Sequence, residues 1–329
     1  MLLLNSISDN LKNYYRVRVL SKKPIQKIFL VPTYRCNLKC DFCYSRGLEN
    51  EFKEDMNRKN LNSALNWLRL NRINVFGLLG GEPTEYLYFE ELMDLIKIYK
   101  MRVILPTNNL FNPSLLKILP RKYIEIMILN YNKEIYSEEQ HKRFKNNLES
   151  LKKIGFRLGL MLNINKNNYD KEAIVLAKYF KCDIRFTTSC PAYFNNIYVP
   201  LDKLSTFKEV MVSFVKECKE NKVKAMFSRP IIPCMFNKRD LKNLKPSAVR
   251  YTCNIIPVVN PDLSIFACHN IFKRFPNLLS FKNLGELNKR TNLYAEQLRR
   301  IPLLPECLDC KLYSNHKCQG GCLSYKQYQ

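Results

Sequence analysis

At 329 residues, with nearly half of them apolar and no low-complexity stretch, the chain is long enough for one large α/β domain with a small appendage, or for two ordinary domains. Its formal charge of +25 arises from 54 Lys and Arg against 29 Asp and Glu. The lysines are spread over helices such as HKRFKNNLESLKKIG (141–155) rather than gathered in one arm, so solvated basic faces and no nucleic-acid partner are expected. MLLLNSISDN is too short an apolar start for a signal peptide, and no later run reaches the ~18 residues of a membrane span, which predicts a cytoplasmic protein without a membrane partner.

In chain order, KIFLVPT (27–33) reads as a strand, NLNSALNWLRL (60–70) as a helix and INVFGLL (73–79) as the next strand. FEELMDLIKIYK (89–100) keeps Leu92, Leu95, Ile96 and Tyr99 at the spacing of one buried helix face. MRVILPT (101–107), a short helix from Pro113 and YIEIMIL (123–129) follow, and then a longer helix with Phe144, Leu148 and Leu151 inward. FRLGLMLNI (156–164), a helix near 170–180, CDIRFTT (182–188) and a helix at 203–220 complete about six β-α units. Such close spacing admits only right-handed crossovers in a parallel sheet, which stays open or curls into a full or partial barrel. Working residues then belong on loops after the strands' C-terminal ends, where the cysteine loop, GGEPTEY and TNN (107–109) all fall. After about residue 235 the rhythm gives way to a loop-rich, Pro- and Cys-rich segment, read as a second, smaller domain.

Thirteen cysteines without a secretion signal argue against a disulfide framework and for metal or redox centres. Three of them, Cys36, Cys40 and Cys43, crowd into the polar loop TYRCNLKCDFCYSRG (33–47). Three thiolates at this spacing suit one corner-bound iron–sulfur cluster and leave one iron open. Zinc or packed thiols are the other readings, but no fourth ligand stands close in sequence and the flanking apolar residues do not follow a common helix face.

CNLKCDFC after the first strand, with Phe42 before the last Cys, and GGEP (Gly80–Pro83) after the second resemble the signature of radical S-adenosylmethionine (radical SAM) enzymes over roughly residues 25–235. The resemblance implies a partial (β/α)6 TIM-like barrel over 25–235, preceded by an N-terminal segment (1–24) and followed by a small Cys-rich domain (236–329). It further implies that the amine and carboxylate of SAM chelate the open iron of a 4Fe–4S cluster. Reductive cleavage then gives a 5′-deoxyadenosyl radical that takes hydrogen from substrate. By the same resemblance, Gly80 and Gly81 let their backbone approach the methionyl group, Glu82 accepts from its ammonium, Phe42 packs near the adenine and Asn108 lies at the mouth. Where relatives carry Ser-x-Asp after the fourth strand, ILN (128–130) offers Asn130. Asn163 and Asn165 are the polar candidates of the fifth strand, and Arg143 either meets the SAM carboxylate or is a solvated helix arginine.

CNIIPVVNPDLSIFACHN (253–270) and ECLDCKLYSNHKCQGGC (306–322) resemble the SPASM extension of peptide-modifying radical SAM enzymes, which binds auxiliary 4Fe–4S clusters. Leu263 stands where the family has a hairpin glycine, the gap from Cys310 to Cys318 is two residues longer, and no cysteine follows Cys322. By analogy, Cys253, Cys268 and Cys322, with Cys234 as fourth ligand, hold one auxiliary cluster. Cys307, Cys310 and Cys318 hold a second, completed by His316, a carboxylate or water. A zinc ribbon built from the last four cysteines is the alternative. His269 is a candidate general base, or a histidine hydrogen-bonded near a cluster. Cys190 is a candidate hydrogen-atom donor, or a buried small hydrophobe.

The expected activity is radical SAM modification of a peptide or amino-acid side chain by oxidation, cross-linking, thioether formation or epimerisation. A flavodoxin or ferredoxin would supply electrons. Because Cys36 lies near the start, a separate leader-peptide-binding protein, or a small-molecule substrate, is expected. The alternatives are oxidation of a sugar or other metabolite, and an iron–sulfur or zinc protein that binds nucleic acid.

Overall fold

A computed structural model describes residues 27–164, 168–192, 198–244 and 249–327; the N-terminal segment 1–24 and Asn165 lie outside them. Seven parallel strands run in sequential order across one sheet: β1 (Phe29–Leu30), β2 (Val75–Leu78), β3 (Arg102–Thr107), β4 (Ile124–Asn130), β5 (Leu158–Asn163), β6 (Asp183–Thr187) and β7 (Ala225–Phe227). Helices α1 (Arg58–Leu70), α2 (Phe89–Ile98), α3 (Glu138–Ile154), α4 (Glu172–Phe180) and α5 (Leu204–Glu220) return the chain between them. The six β-α units thus form the partial barrel, with an open edge at β7.

The crossovers follow from local chemistry. α3 begins at a capping box, with Ser137 accepting from the Gln140 amide and the Gln140 side chain accepting from the Ser137 amide, and it ends at Gly155 with φ 87°. Its Phe144, Leu148 and Leu151 are fully buried. On α2, Leu92 and Ile96 are buried, with Leu95 and Tyr99 packed against the same core. The expected helix from Pro113 is instead a 3-10 turn, Pro113–Lys117, started by the Asn112 side chain accepting from Ser114. Five residues do not suffice for a covering helix, so β3 and β4 are joined more tightly than their neighbours. Sequence periodicity missed β7, which is only three residues long.

The C-terminal segment adds to the same sheet. β8 (Val258–Val259) pairs parallel to β1, and β9 (Ile265–Cys268) and β10 (Ile271–Phe275) continue antiparallel from it. α6 (Lys238–Leu244) precedes these strands and α7 (Leu284–Arg300) follows them. In the β8–β9 turn Leu263 has φ 66°, a left-handed conformation that costs a branched side chain ~1–2 kcal/mol; its side chain is buried, which holds it there. Trp67 Nε1 donates to Phe281 O, and the Leu284 amide donates to Asn71 Oδ1, fastening α1 to this segment. Among the described residues no helix is long and apolar enough to cross a membrane.

Candidate active site and cysteine clusters

Parallel strands present all their C-terminal ends along one edge, and the polar residues singled out above gather there. The cysteine loop follows β1, Gly80–Glu82 follows β2, Asn108 follows β3, Asn130 ends β4, Asn163 ends β5 and Cys190 lies past β6. Cys36, Cys40 and Cys43 are free, with Cys36 open to solvent and the other two half-buried. Leu38 N donates to Cys36 Sγ at 3.4 Å, and Cys43 Sγ lies 3.0 Å from Ser45 Oγ. Desolvation by the surrounding protein pushes both Cys36 and Cys40 up to about 12, and the neighbouring thiols add to the rise.

The base of this loop is bolted down by polar contacts. Asp55 accepts from Thr33 Oγ1, from Arg35 Nε and Nη2 and from the Leu87 amide, and Arg35 Nη2 also donates to Glu85 O. Gly81 N donates to Thr33 O and Glu82 N to Arg35 O. A Cβ on Gly81 would lie 2.2 Å from Arg35 O, and one on Gly80, whose φ is 147°, would lie 2.1 Å from Thr33 O. Both glycines are therefore required by close packing on the Thr33–Arg35 backbone, a reason that the motif alone did not reveal.

Glu82 is buried, and its carboxylate accepts four bonds: from Thr84 N, Thr84 Oγ1, Thr107 Oγ1 and, at 2.7 Å, Asn108 N. Burial pushes its pKa up despite these donors. It thus ties the GGEP turn to the end of β3. Asn108 Nδ2 in turn donates to Asn37 Oδ1 at 2.6 Å, inside the cysteine loop. Asn109 takes φ 62° and donates from Nδ2 to Phe144 O.

Phe42 is half-buried on the cysteine loop and Asn163 half-buried at the end of β5. Asn130 O accepts from Tyr136 OH, and the Tyr136 phenol feels the charges of Cys40, Glu82 and Cys36, which brings the end of β4 into the same site. Arg143 stands on the exposed face of α3 in an ion pair with Glu139.

The remaining cysteines form two groups. Cys268 lies within electrostatic reach of Cys322 and Cys253, and Cys253 within reach of Cys322. Cys190 joins this group: it interacts with Cys322, and both line a cavity of about 50 Å³ together with Arg229, Gly321 and Tyr325. The hydrogen bond from Cys190, then the Arg229 charge, overcome burial and bring Cys322 down to about 5. Arg229 bridges Thr188 O and Asn270 Oδ1, and Gln319 both accepts from Cys253 N and donates to Cys253 Sγ. His269 packs edge-on to Tyr44 with centroids 5.2 Å apart, its Nδ1 lying 3.6 Å from Cys268 Sγ. An imidazole titrating near neutrality was expected there. Burial, then the Arg229 charge, instead push it down to about 3, so it is neutral over the physiological range.

In the second group, Cys318 feels Cys234, Cys307 and Cys310, and Cys234 feels Cys307 and Cys310. Cys234 thus interacts with this group, whereas the sequence reading put it with Cys253, Cys268 and Cys322. His316 is exposed on the turn before Cys318. Among the described residues, no group of three or more His, Cys, Asp or Glu side chains closes on a single metal ion.

Sequence reasoning also missed Tyr44, Asn37, Arg229, Gln319 and Lys326. Tyr44 and Asn37 were within the quoted motif, where a polar or aromatic neighbour of a ligand was available as a signal. Arg229 and Gln319 act across more than 40 residues of chain, which no local spacing discloses.

The cysteine tripod fits a thiolate-bound iron–sulfur cluster on its donor chemistry. Iron takes the place of the protons on three neighbouring thiols and offsets the charge of the resulting thiolates, and the cradle behind them is set by Gly80 and Gly81. Residues 30–177 match the radical SAM superfamily model. No curated protein matches the chain. Among solved structures it is similar to Streptococcus suis SuiB bound to S-adenosylmethionine (TM-score 0.66, 16% identity, 92% of this chain and 74% of that one). It is also similar to SuiB bound to the precursor peptide SuiA (0.67, 18%, 98% and 76%) and to anSMEcpe with bound AdoMet (0.66, 21%, 90% and 89%). The chain carries a domain of the radical SAM superfamily.

Proposed function

We propose that the protein is an enzyme that modifies a peptide or an amino-acid side chain, with Cys36, Cys40 and Cys43 holding a 4Fe–4S cluster that binds S-adenosylmethionine. When bound, this pair supplies a 5′-deoxyadenosyl radical by one-electron reductive cleavage. The chain's own residues bind, orient and exclude water. Glu82 fixes the Asn108 backbone, and Asn108 holds Asn37 of the cysteine loop, so the rim of the site is set before any ligand arrives. Asn130 and Asn163, at the ends of adjacent strands, are the candidate contacts for the ribose. Phe42 is the candidate contact for the adenine.

The observation that carries this reading is the contact between His269 and Tyr44. It sets the residue after Cys268 against the residue after Cys43, and so brings a second thiol group next to the first. Cys253, Cys268 and Cys322, with Cys190 as the fourth sulfur, would hold an auxiliary 4Fe–4S cluster there, able to take an electron from a product radical. In this role Cys190 is a ligand and not a hydrogen-atom donor, and His269 acts as a neutral hydrogen-bonding group. The peptide complex of SuiB supports a peptide as substrate.

The test is anaerobic turnover with dithionite, S-adenosylmethionine and a short peptide encoded beside the gene. Formation of 5′-deoxyadenosine together with a mass change in that peptide is expected. 5′-Deoxyadenosine with no change in any peptide, but oxidation of an added sugar or other metabolite, would replace the peptide reading.

A further inference from the structure

Cys307, Cys310 and Cys318 bring three thiols to the second cysteine group. The fold supplies a fourth sulfur from elsewhere. Cys234 sits on the 3-10 turn Pro233–Met235 that follows β7, in the barrel rather than in the C-terminal segment. Cys307 ends the turn Pro305–Cys307, and Cys310 caps the single helical turn Lys311–Ser314. Cys318 opens the turn that contains Gly320 and Gly321. That turn packs directly on the approach to Cys234: a Cβ on Gly321 would lie 2.9 Å from Ile232 Cγ1. Gly320 N donates to Cys318 Sγ at 3.3 Å, an amide already turned toward sulfur.

A second observation is independent of the thiols. Lys326 is 1% exposed, and its Nζ has no hydrogen-bond partner. It lies over the Tyr313 ring at 5.1 Å, and a Cβ on Gly320 would come within 3.5 Å of Nζ. The acidic groups acting on it are Cys307 and Cys318, while Arg299 adds a second positive charge. A buried ammonium without an acceptor needs an anion. Four thiolates around a 4Fe–4S core carry net negative charge and would provide one.

We propose that Cys234, Cys307, Cys310 and Cys318 form one complete four-thiolate 4Fe–4S site, bridging the last barrel loop and the C-terminal segment, with Lys326 Nζ as its buried counter-ion. The proposal rests on the reading of the C-terminal cysteines as cluster ligands and adds the identity of the fourth. As placed, the four side chains do not close on a single ion; a cube of four irons, with one thiolate at each corner, takes a wider set.

The test uses the full chain, reconstituted anaerobically in a Cys36→Ala/Cys40→Ala/Cys43→Ala background so that only auxiliary iron remains. Iron, sulfide and zinc are counted per chain and Mössbauer spectra recorded for that parent, for Cys318→Ala and for Cys234→Ala. Cys318→Ala is expected to lose one cluster's iron. Cys234→Ala is expected either to lose the same iron or to yield a cluster with one distinct iron site, convertible by ferricyanide to a three-iron form. A count and spectrum unchanged in Cys234→Ala but altered in Cys318→Ala would overturn the fourth-ligand assignment alone. Iron unchanged in both, or one zinc per chain lost in Cys318→Ala, would overturn the underlying cluster reading as well. Lys326→Met is expected to keep the iron count and lower the reduction potential of this cluster. An unchanged potential would remove Lys326 from the account.

Discussion

Around Cys36, Cys40 and Cys43 the polar groups satisfy one another: Asp55 takes up Thr33 and Arg35, Glu82 takes up Thr84, Thr107 and Asn108, and Asn108 holds Asn37. Around Cys234, Cys307, Cys310 and Cys318 the Lys326 ammonium is buried with no hydrogen-bond partner. The first region is tied by side-chain hydrogen bonds to the turn after β2 and the end of β3, whereas the second is carried on short turns and a single helical turn. The difference separates a site whose scaffold exists before its cofactor from one whose local order comes with its metal.

Metal removal should widen this contrast most. In hydrogen-exchange measurements on apo and reconstituted protein, amides of residues 305–327 should exchange at least about a hundredfold faster without iron, while β2–β5 change little. Equal protection of both regions in the apo form would erase the distinction.

Next in size is Glu82→Gln. One end of the amide must donate where the carboxylate accepts from Thr84, Thr107 and Asn108, so about 2–4 kcal/mol of stability should be lost in denaturant melts, chiefly from the barrel. A neutral result would mean that the GGEP turn is not held by this carboxylate.

The smallest effect is a pH dependence confined to the barrel. Glu172 is half-buried; desolvation pushes its pKa up, but hydrogen bonds from Lys133 and Lys145 and the charge of His141 outweigh it and bring the group down from 4.5 to about 2. A depressed carboxylate contributes stability above its unfolded pKa, and that contribution is lost as pH falls from 4.5 toward 2. Discounted for solvent screening it is worth about 1–2 kcal/mol. Glu172→Gln should flatten this part of the acid limb and leave stability at pH 7 lower by the same amount.

The strands, the helices and the tripod were legible because each is a local pattern: Leu92 and Ile96 repeat at helical spacing, and Cys36, Cys40 and Cys43 share one loop. Legibility stopped where a residue's partner lies far along the chain. Gly81 reads as a ligand-facing glycine and packs on the Arg35 carbonyl; Cys234 goes by analogy with Cys253, Cys268 and Cys322, yet Cys307 and Cys310 are the thiols that act on it. Leu263, at a position where glycine was expected, keeps the turn because its buried side chain offsets the strained backbone. His269 shows the same limit for chemistry: the residue type suggests a proton acceptor near neutrality, and burial, joined by the charge of Arg229 forty residues earlier, pushes its pKa down to about 3.

The most direct test of the central claim is chromatographic detection of 5′-deoxyadenosine from S-adenosylmethionine by oxygen-free, fully reconstituted, dithionite-reduced protein, with Cys43→Ala as control. The account predicts steady formation by the wild-type chain, even without substrate, and none by the variant. Loaded wild-type protein that leaves S-adenosylmethionine intact would contradict it.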